Sequence, residues 1–250
     1  MATRFVARLA LSAALFAGAP ARAQAAKSPA PTLAVLYFDY SGKDEEMAML
    51  RKGLAQMLLS DLAGADGVRL VERERLEDIL TELKLGRSAS IDPKTAAKVG
   101  KLLGAQFMVL GSYFALGGVL RADARVVEVE TGRVLRSAGA SGKPDDFLAV
   151  EQKLGAQILG FVESGLPKPA ASPAPSSPPS GVDPGDTSGT RRARVLPPAQ
   201  LRIRTALHYG KALDAIDKGK KVEAKAELET VLHEQPDFKL AALDLAKLMK

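Results

Sequence analysis

Nine of the fifteen prolines in this 250-residue chain fall between positions 166 and 199, with Ser, Ala and Gly between them. Such a stretch samples extended polyproline II and offers too few apolar side chains to build a core. It reads as a linker that divides the chain, so folding must occur within residues 33–165 or within residues 200–250. The first block, at ~130 residues, buries roughly two-thirds of its surface and needs no staples. None are on offer: the chain has no cysteine, which excludes disulfides, thiolate metal sites, thiol nucleophiles and a lipid-modified N-terminal cysteine.

Arg4 and Arg8 precede an apolar stretch from Leu9 to Ala17, followed by Gly18, Pro20 and the small-residue run Ala21 to Ala25. The stretch is too short to cross the ~30 Å hydrocarbon core as a helix. Ala23-Gln24-Ala25 offers a cleavage site, so residues 1–25 are expected to be a secretory signal. No later run approaches the roughly 18 apolar residues of a membrane helix. The expected product is exported and periplasmic, without a transmembrane segment after cleavage, though peripheral association with the outer membrane is compatible with it.

The formal charge of +6 is not spread evenly. Residues 33–165 hold 17 basic against 19 acidic side chains, and half of the excess belongs to the signal-like segment. No phosphate-binding face follows, and nucleic acid is not an expected partner.

Between Leu33 and Gly165 the hydrophobic period changes type repeatedly. Leu33 to Phe38 predicts a strand buried on both faces. Met47, Leu50, Leu54, Leu58 and Leu62 predict one helix, stopped by Gly64 or Gly67. Val68 to Val71 reads as a short strand, and Leu76, Ile79, Leu80 and Leu83 as the stripe of an amphipathic helix. Asp92-Pro93 starts a helix that runs to Gly104. Phe107 to Phe114 is a strand, Gly117-Gly118 a hairpin turn, and Leu120 to Val126 an alternating strand whose break at Glu128 suggests a bulge or an end. A strand near Val134 to Ala138 and a helix carrying Phe147, Val150, Leu154, Ile158 and Phe161 close the block. The expected class is α/β, a mixed sheet with helices packed on it.

After Leu201 the pattern is helical. Leu207, Leu213 and Ile216 share one helix, Lys218-Gly219-Lys220 breaks it, and Ala224, Leu228, Val231 and Leu232 share the next, ending at Pro236. The window 205–238 resembles a tetratricopeptide repeat: Ala212, Ala224, Leu228 and Pro236 stand where that motif wants small, small, bulky and proline residues, while Ala215 replaces an aromatic. One repeat and the helix from Lys239 to Met249 fall short of the roughly three units such arrays need, so this segment is expected to dock on something.

Catalytic chemistry finds little support. No G-x-S-x-G, P-loop, H-E-x-x-H or G-x-G-x-x-G pattern is present. His208 and His233 lie on the two arms of the C-terminal hairpin, but a zinc site needs further carboxylates. Glu74, Asp78 and Glu82 share a helix face, yet Arg73, Arg75 and Lys84 surround them, as on a solvated charged face. Gly117-Gly118 fits a hairpin better than a phosphate cradle. No cofactor, metal or catalytic residue is expected.

The segment Val68 to Leu76 (VRLVERERL), followed by Ile79-Leu80 and Glu82, resembles the CsgG family, named for the curli secretion channel. The likeness continues through Asp92 to Ala97, Gly104-Ala105, Leu110 to Ser112, Arg125 to Val127 and Glu130 to Gly132, covering residues 33 to about 140. It implies a periplasmic α/β domain similar to the N-terminal domain of TolB and to outer-membrane activators of cell-wall synthases. Channel-forming members start on a lipidated cysteine and insert long membrane hairpins after two strands. Here Gly117-Gly118 closes the first junction and Gly142 leads straight to Asp145 and Asp146 at the second. Roughly nine to eleven residues per strand are needed to cross a membrane, so the chain lacks material for a barrel.

The expected function is therefore a non-catalytic periplasmic adaptor or assembly factor that binds other envelope proteins, with homo-oligomerisation left open. The expected contacts are Glu72, Arg73 and Glu82, where the resemblance centres, and Tyr209 and Ile216 in the repeat, which either line a groove or belong to the core. The alternative is a soluble component of a CsgG-like outer-membrane secretion apparatus. An envelope hydrolase is disfavoured because no nucleophile and base pair is visible.

Overall fold

The computed structural model describes residues 30–85, 93–167 and 201–250. The signal-like segment, Asp92 and nearly all of the Pro-rich stretch lie outside the described residues. In chain order the elements are β1 (Thr32–Val35), β2 (Asp39–Tyr40), α1 (Glu45–Ala48), α2 (Leu50–Leu62), β3 (Arg69–Leu70), α3 (Arg73–Glu82), α4 (Pro93–Leu102), β4 (Phe107–Leu116), β5 (Val119–Glu128), β6 (Val134–Gly142), a 3-10 turn at Pro144–Asp146, α5 (Phe147–Glu163), α6 (Ile203–Asp217), α7 (Lys221–Glu234) and α8 (Lys239–Leu248).

The sheet order is β3-β1-β4-β5-β6, with β2 pairing β4 beyond the end of β1. The contacts of β1 with β3 and β4 are parallel, and β4-β5-β6 form an antiparallel meander. Parallel neighbours need crossovers, which α2 and the α3–α4 pair supply. This is the α/β class with a mixed sheet, followed by a C-terminal helical region.

Pleating sorts the two faces. Val109 pairs with Val126, Ala122 with Ala140 and Ala124 with Ala138, so these buried residues share one face. The small Ala side chains let α5 approach closely, and a Cβ on Gly142 would stand 2.8 Å from Val150 of that helix. Met108 points the other way, onto α4, where a side chain on Gly100 would collide with it and with Val129. The β4–β5 turn uses positive φ at Gly117 and Gly118, 60° and 74°, as a two-residue hairpin requires.

The expectation of one continuous strand from Leu33 to Phe38 needs correction. All six residues are buried, but regular pairing ends at Val35. The Phe38 ring lies over Gly111 of β4, where any Cβ would strike it. The Phe38 amide donates to the Arg51 carbonyl at 3.4 Å and Arg51 Nε donates to the Phe38 carbonyl at 2.9 Å, so α2 claims backbone groups that a strand would otherwise use. The single helix expected from Met47 to Leu62 is two, because the Met49 amide bonds to Glu46, three residues back, in a tighter 3-10 register. The β5 irregularity falls between Val126 and Val127, just before the expected Glu128, and β6 continues past Ala138 to Gly142.

α6 and α7 form a hairpin around Gly219, whose φ is 69°. The hairpin does not stand apart: Ala206, Leu207, Tyr209, Ala212 and Leu213 belong to the same continuous hydrophobic cluster as the sheet. α6 lies along α2 through facing glycines. A Cβ on Gly53 would sit 3.5 Å from the Ala206 carbonyl and the Gly210 backbone, and one on Gly210 would run into the Met49 carbonyl. Gly210→Ala is therefore expected to cost about 1–3 kcal/mol in urea unfolding. Gly160→Ala, in an exposed helical position with nothing within 4 Å, should instead add ~0.5–1 kcal/mol.

Candidate functional site

The C-terminal helices meet the α/β domain at a buried cluster of charges. Lys52 Nζ on α2 lies 2.5 Å from Asp217 Oδ2, 3.4 Å from Asp214 Oδ1 and 3.4 Å from Glu77 Oε1 on α3. Arg73 Nη1 reaches Asp217 Oδ1 at 2.5 Å, and Lys218 also pairs with Asp214. Three cations thus face three carboxylates. The Asp217 side chain is 4% exposed, Arg73 5% and Lys52 10%, so water screens these charges little. The Tyr37 hydroxyl donates to Glu77 Oε2 at 2.8 Å, and Lys52 Nζ stands 5.3 Å from the centre of its ring.

Helix polarity shows that this pairing is the reason for the charges. Asp217 ends α6 and Asp214 sits in its last turn, where carboxylates oppose the macrodipole, while Arg73 opens α3, where a cation does so. Each is tolerated because its partner sits on the other element. Burial works against the charge on Arg73, yet Asp217 beside it, by charge and by hydrogen bond, holds the guanidinium above its ordinary value. Burial pushes the Tyr37 phenol up, with Arg73 opposing.

Around the cluster the seam is apolar with polar edges. Tyr209 is fully buried, packs edge to face on Phe238 at 4.9 Å, and donates to Asp244 Oδ2 at 2.8 Å. Lys211 pairs with Glu46 at 3.1 Å and Lys247 with Glu74 at 3.6 Å, both across the seam. Within the hairpin, His208 Nδ1 lies 2.6 Å from Glu227 Oε2 and Thr205 donates to Glu234 at 2.6 Å. His208 thus meets a carboxylate, and His233 is exposed. Among the described residues no group of three or more His, Asp or Glu side chains could hold a metal ion. A cleft of about 360 Å³ between α2 and α5 is lined by Asp61, Gln152 and Glu163 but by no imidazole or hydroxyl.

The five residues singled out in the sequence do not share one surface. Glu72 is exposed at the N-cap of α3, without a capping bond from its side chain, and Glu82 is exposed at the far end of that helix. Arg73 points inward to Asp217 instead of joining the solvated charges around Glu74, and Tyr209 is interior to the helical segment. Ile216 is half-buried against the core. The residues that do converge, Lys52, Glu77, Asp214 and Asp217, were not singled out. The available signal was a lysine inside the apolar run of α2 and two carboxylates at the wrong end of α6.

The model of the family described as curli production assembly/transport component CsgG matches residues 32–122, from β1 into β5. No curated protein matches the chain. Among solved structures, the LpoB C-terminal domain from Salmonella enterica is similar at 20% identity, over 46% of this chain and 84% of that one, with a TM-score of 0.32. Lipoprotein GNA1162 from Neisseria meningitidis is similar at 17% identity, over 55% and 99%, with a TM-score of 0.40. The PelC L103M dodecamer from Paraburkholderia phytofirmans is similar at 14% identity, over 55% and 91%, with a TM-score of 0.35. At such identities and TM-scores these likenesses carry no functional argument. The matched segment holds Lys52, Arg73 and Glu77, whereas Asp214 and Asp217 lie outside it. No helix among the described residues is long and apolar enough to cross a membrane.

Removing one member of the cluster strands the others without water. Asp217→Ala is expected to cost about 3–5 kcal/mol in urea unfolding, because Lys52 and Arg73 both lose their nearest carboxylate. Asp244 gives a pH test. Burial holds its carboxyl above the ordinary range, with Tyr209, Lys247 and Arg73 offsetting only part of the effect. A raised folded-state value contributes stability that is full below the unfolded value and is lost as pH rises through the folded one. Asp244→Asn keeps an acceptor for Tyr209, so its melting temperature relative to wild type should climb as the pH rises above the ordinary carboxylate range of about 4.

Proposed function

We propose that this chain is a non-catalytic protein-binding adaptor or assembly factor of the bacterial envelope, exported by residues 1–25, with an α/β domain at 33–165, a Pro-rich linker at 166–199 and a tetratricopeptide-like segment at 200–250. The observation that carries the reading is the seam. The α2–α3 side of the α/β domain already holds a helix through facing glycines and buried ion pairs, so that domain is built to grip protein surface. The match to a family described by assembly and transport supports an envelope role. The same description favours a second reading, a soluble component of a CsgG-like secretion apparatus. In either case Glu72 and Glu82 are the exposed acids of the original set, whereas Arg73 is buried against Asp217.

A photocrosslinking side chain placed at Glu72 or at Glu82 in cells should give adducts with one envelope protein, and Glu82→Arg, at the C-terminal end of α3, should lower its co-purification without lowering the melting temperature. Turnover of a substrate abolished by one substitution that leaves folding intact would sink the adaptor reading. Trypsin offers a check on the domain scheme, since Arg191, Arg192 and Arg194 lie in the linker. Cleavage there should leave two fragments that still co-elute, and Asp217→Ala should release them.

A further inference from the structure

The C-terminal helices grip the α/β domain with one side and leave another side uncovered. α8 buries Leu240 and Ala241 and turns Asp244 inward to Tyr209. Ala242, Leu243, Ala246 and Met249 stay outside, with Leu243 50% and Met249 64% exposed. Helical spacing puts these four on one face. Lys239 and Lys250 stand at its two ends and Lys247 along its side, all exposed. Asp244, the sole acid of α8, turns to Tyr209 and lies 3.9 Å from Lys247, so the charges at the two ends of the apolar face, Lys239 and Lys250, are both basic.

The surface next to it has the opposite character. Lys247 reaches Glu74 at 3.6 Å, and Glu74 opens the exposed stripe Glu74, Asp78, Glu82 along α3. Three acids here face two exposed cations, Arg75 on α3 and Lys84 just after it, because Arg73 is buried in the seam. Ile79, half-buried against the core, flanks this stripe. One molecule therefore carries an apolar helix face with lysines at its ends, adjoining a mainly acidic helix face.

We infer that this composite surface is a twofold interface between two copies of the chain, in which α8 of each lies against α3 of the other. A twofold interface requires a self-complementary patch, and this patch contains both halves of the complementarity. Packing α8 on α8 would set lysine against lysine, whereas α8 on α3 sets the lysines at the two ends of α8 against the stripe from Glu74 to Glu82, which spans ~12 Å, and brings Leu243 toward Ile79. The pairing does not use the α2–α6 seam; it shares Glu82 with the adaptor reading, and the two part at a crosslink from that position, which joins two copies of the chain here and a different protein there.

The test is a charge exchange, read by light scattering and sedimentation of the full chain at low ionic strength. Wild type is expected to dimerise. Lys239→Glu with Lys250→Glu makes both halves acidic, and Asp78→Lys with Glu82→Lys makes both halves basic. Each double variant alone should lose roughly tenfold or more in dimer affinity, because like charges then oppose one another twice. Mixed in equal amounts, the two should pair again, since both contacts become complementary. All substituted positions are exposed, so unchanged melting temperatures exclude misfolding as the cause. Leu243→Ser should weaken the dimer without altering its dependence on charge. A wild-type monomer at all concentrations up to about 200 μM, well above the micromolar range of stable self-association, would overturn the inference. So would a dimer indifferent to both double variants. Adducts formed from Leu243 to a different, acidic protein, with no self-adduct, would assign the face to that partner instead.

Discussion

A lysine buried between three helices sets the terms for much of this structure. Lys52 sits on α2, and a charge there is tolerable only if carboxylates from outside the helix surround it. Glu77 supplies one from α3, and Asp214 and Asp217 supply two from α6. The α/β domain therefore requires the C-terminal helices, and those helices require Lys52 and Arg73 to hold two acids at an unfavourable helix end. α2 becomes interior on nearly every side, covered by the sheet and α5 on one flank and by α6 on the other, which explains why Lys52, Ser60 and Asp61 are buried along with its leucines.

The main elements of the α/β domain were legible because strand and helix periods differ and because glycines punctuate them. Gly117-Gly118 marked the hairpin, and the alternation from Leu120 to Val126 marked a strand with one wet face. Interruptions caused by tertiary contacts were not legible. Nothing local in Leu33 to Phe38 announces that Gly111, far along the chain, leaves room for the Phe38 ring, or that Arg51 will hold the Phe38 backbone through both its carbonyl and its guanidinium.

The docking seam was half legible. The stripe of Leu50, Leu54, Leu58 and Leu62 demands one buried face of α2, but Ala55, Met57 and Leu59 lie off it and are also buried, and that excess of apolar surface points to a second cover. Gly53 and Gly210 read as neutral singly, because only together do they permit the close approach. Arg73 misled for a comparable reason. Among Glu72, Glu74 and Arg75 it looks like one more surface charge, and only the position of Asp217 turns it inward.

Buried ion pairs of this kind are a better guide to register than to stability. Taking a lysine, an arginine and three acids out of water costs several kcal/mol per ion, and a well-packed apolar replacement would hold the helices about as firmly. What apolar side chains would not supply is a fixed axial position. α6 could slide by one turn along α2 with little change in area buried, but a shift of ~5.4 Å would carry Asp217 away from both Lys52 and Arg73 and leave three charges stranded. The facing glycines act in the same sense, since contact between Gly53 and Gly210 is lost on any such shift. The register in turn decides where α8 lies, and hence that Lys247 meets Glu74 at the junction of the basic and acidic faces. The charges buried at one side of the C-terminal segment thus determine which charges are presented on the other.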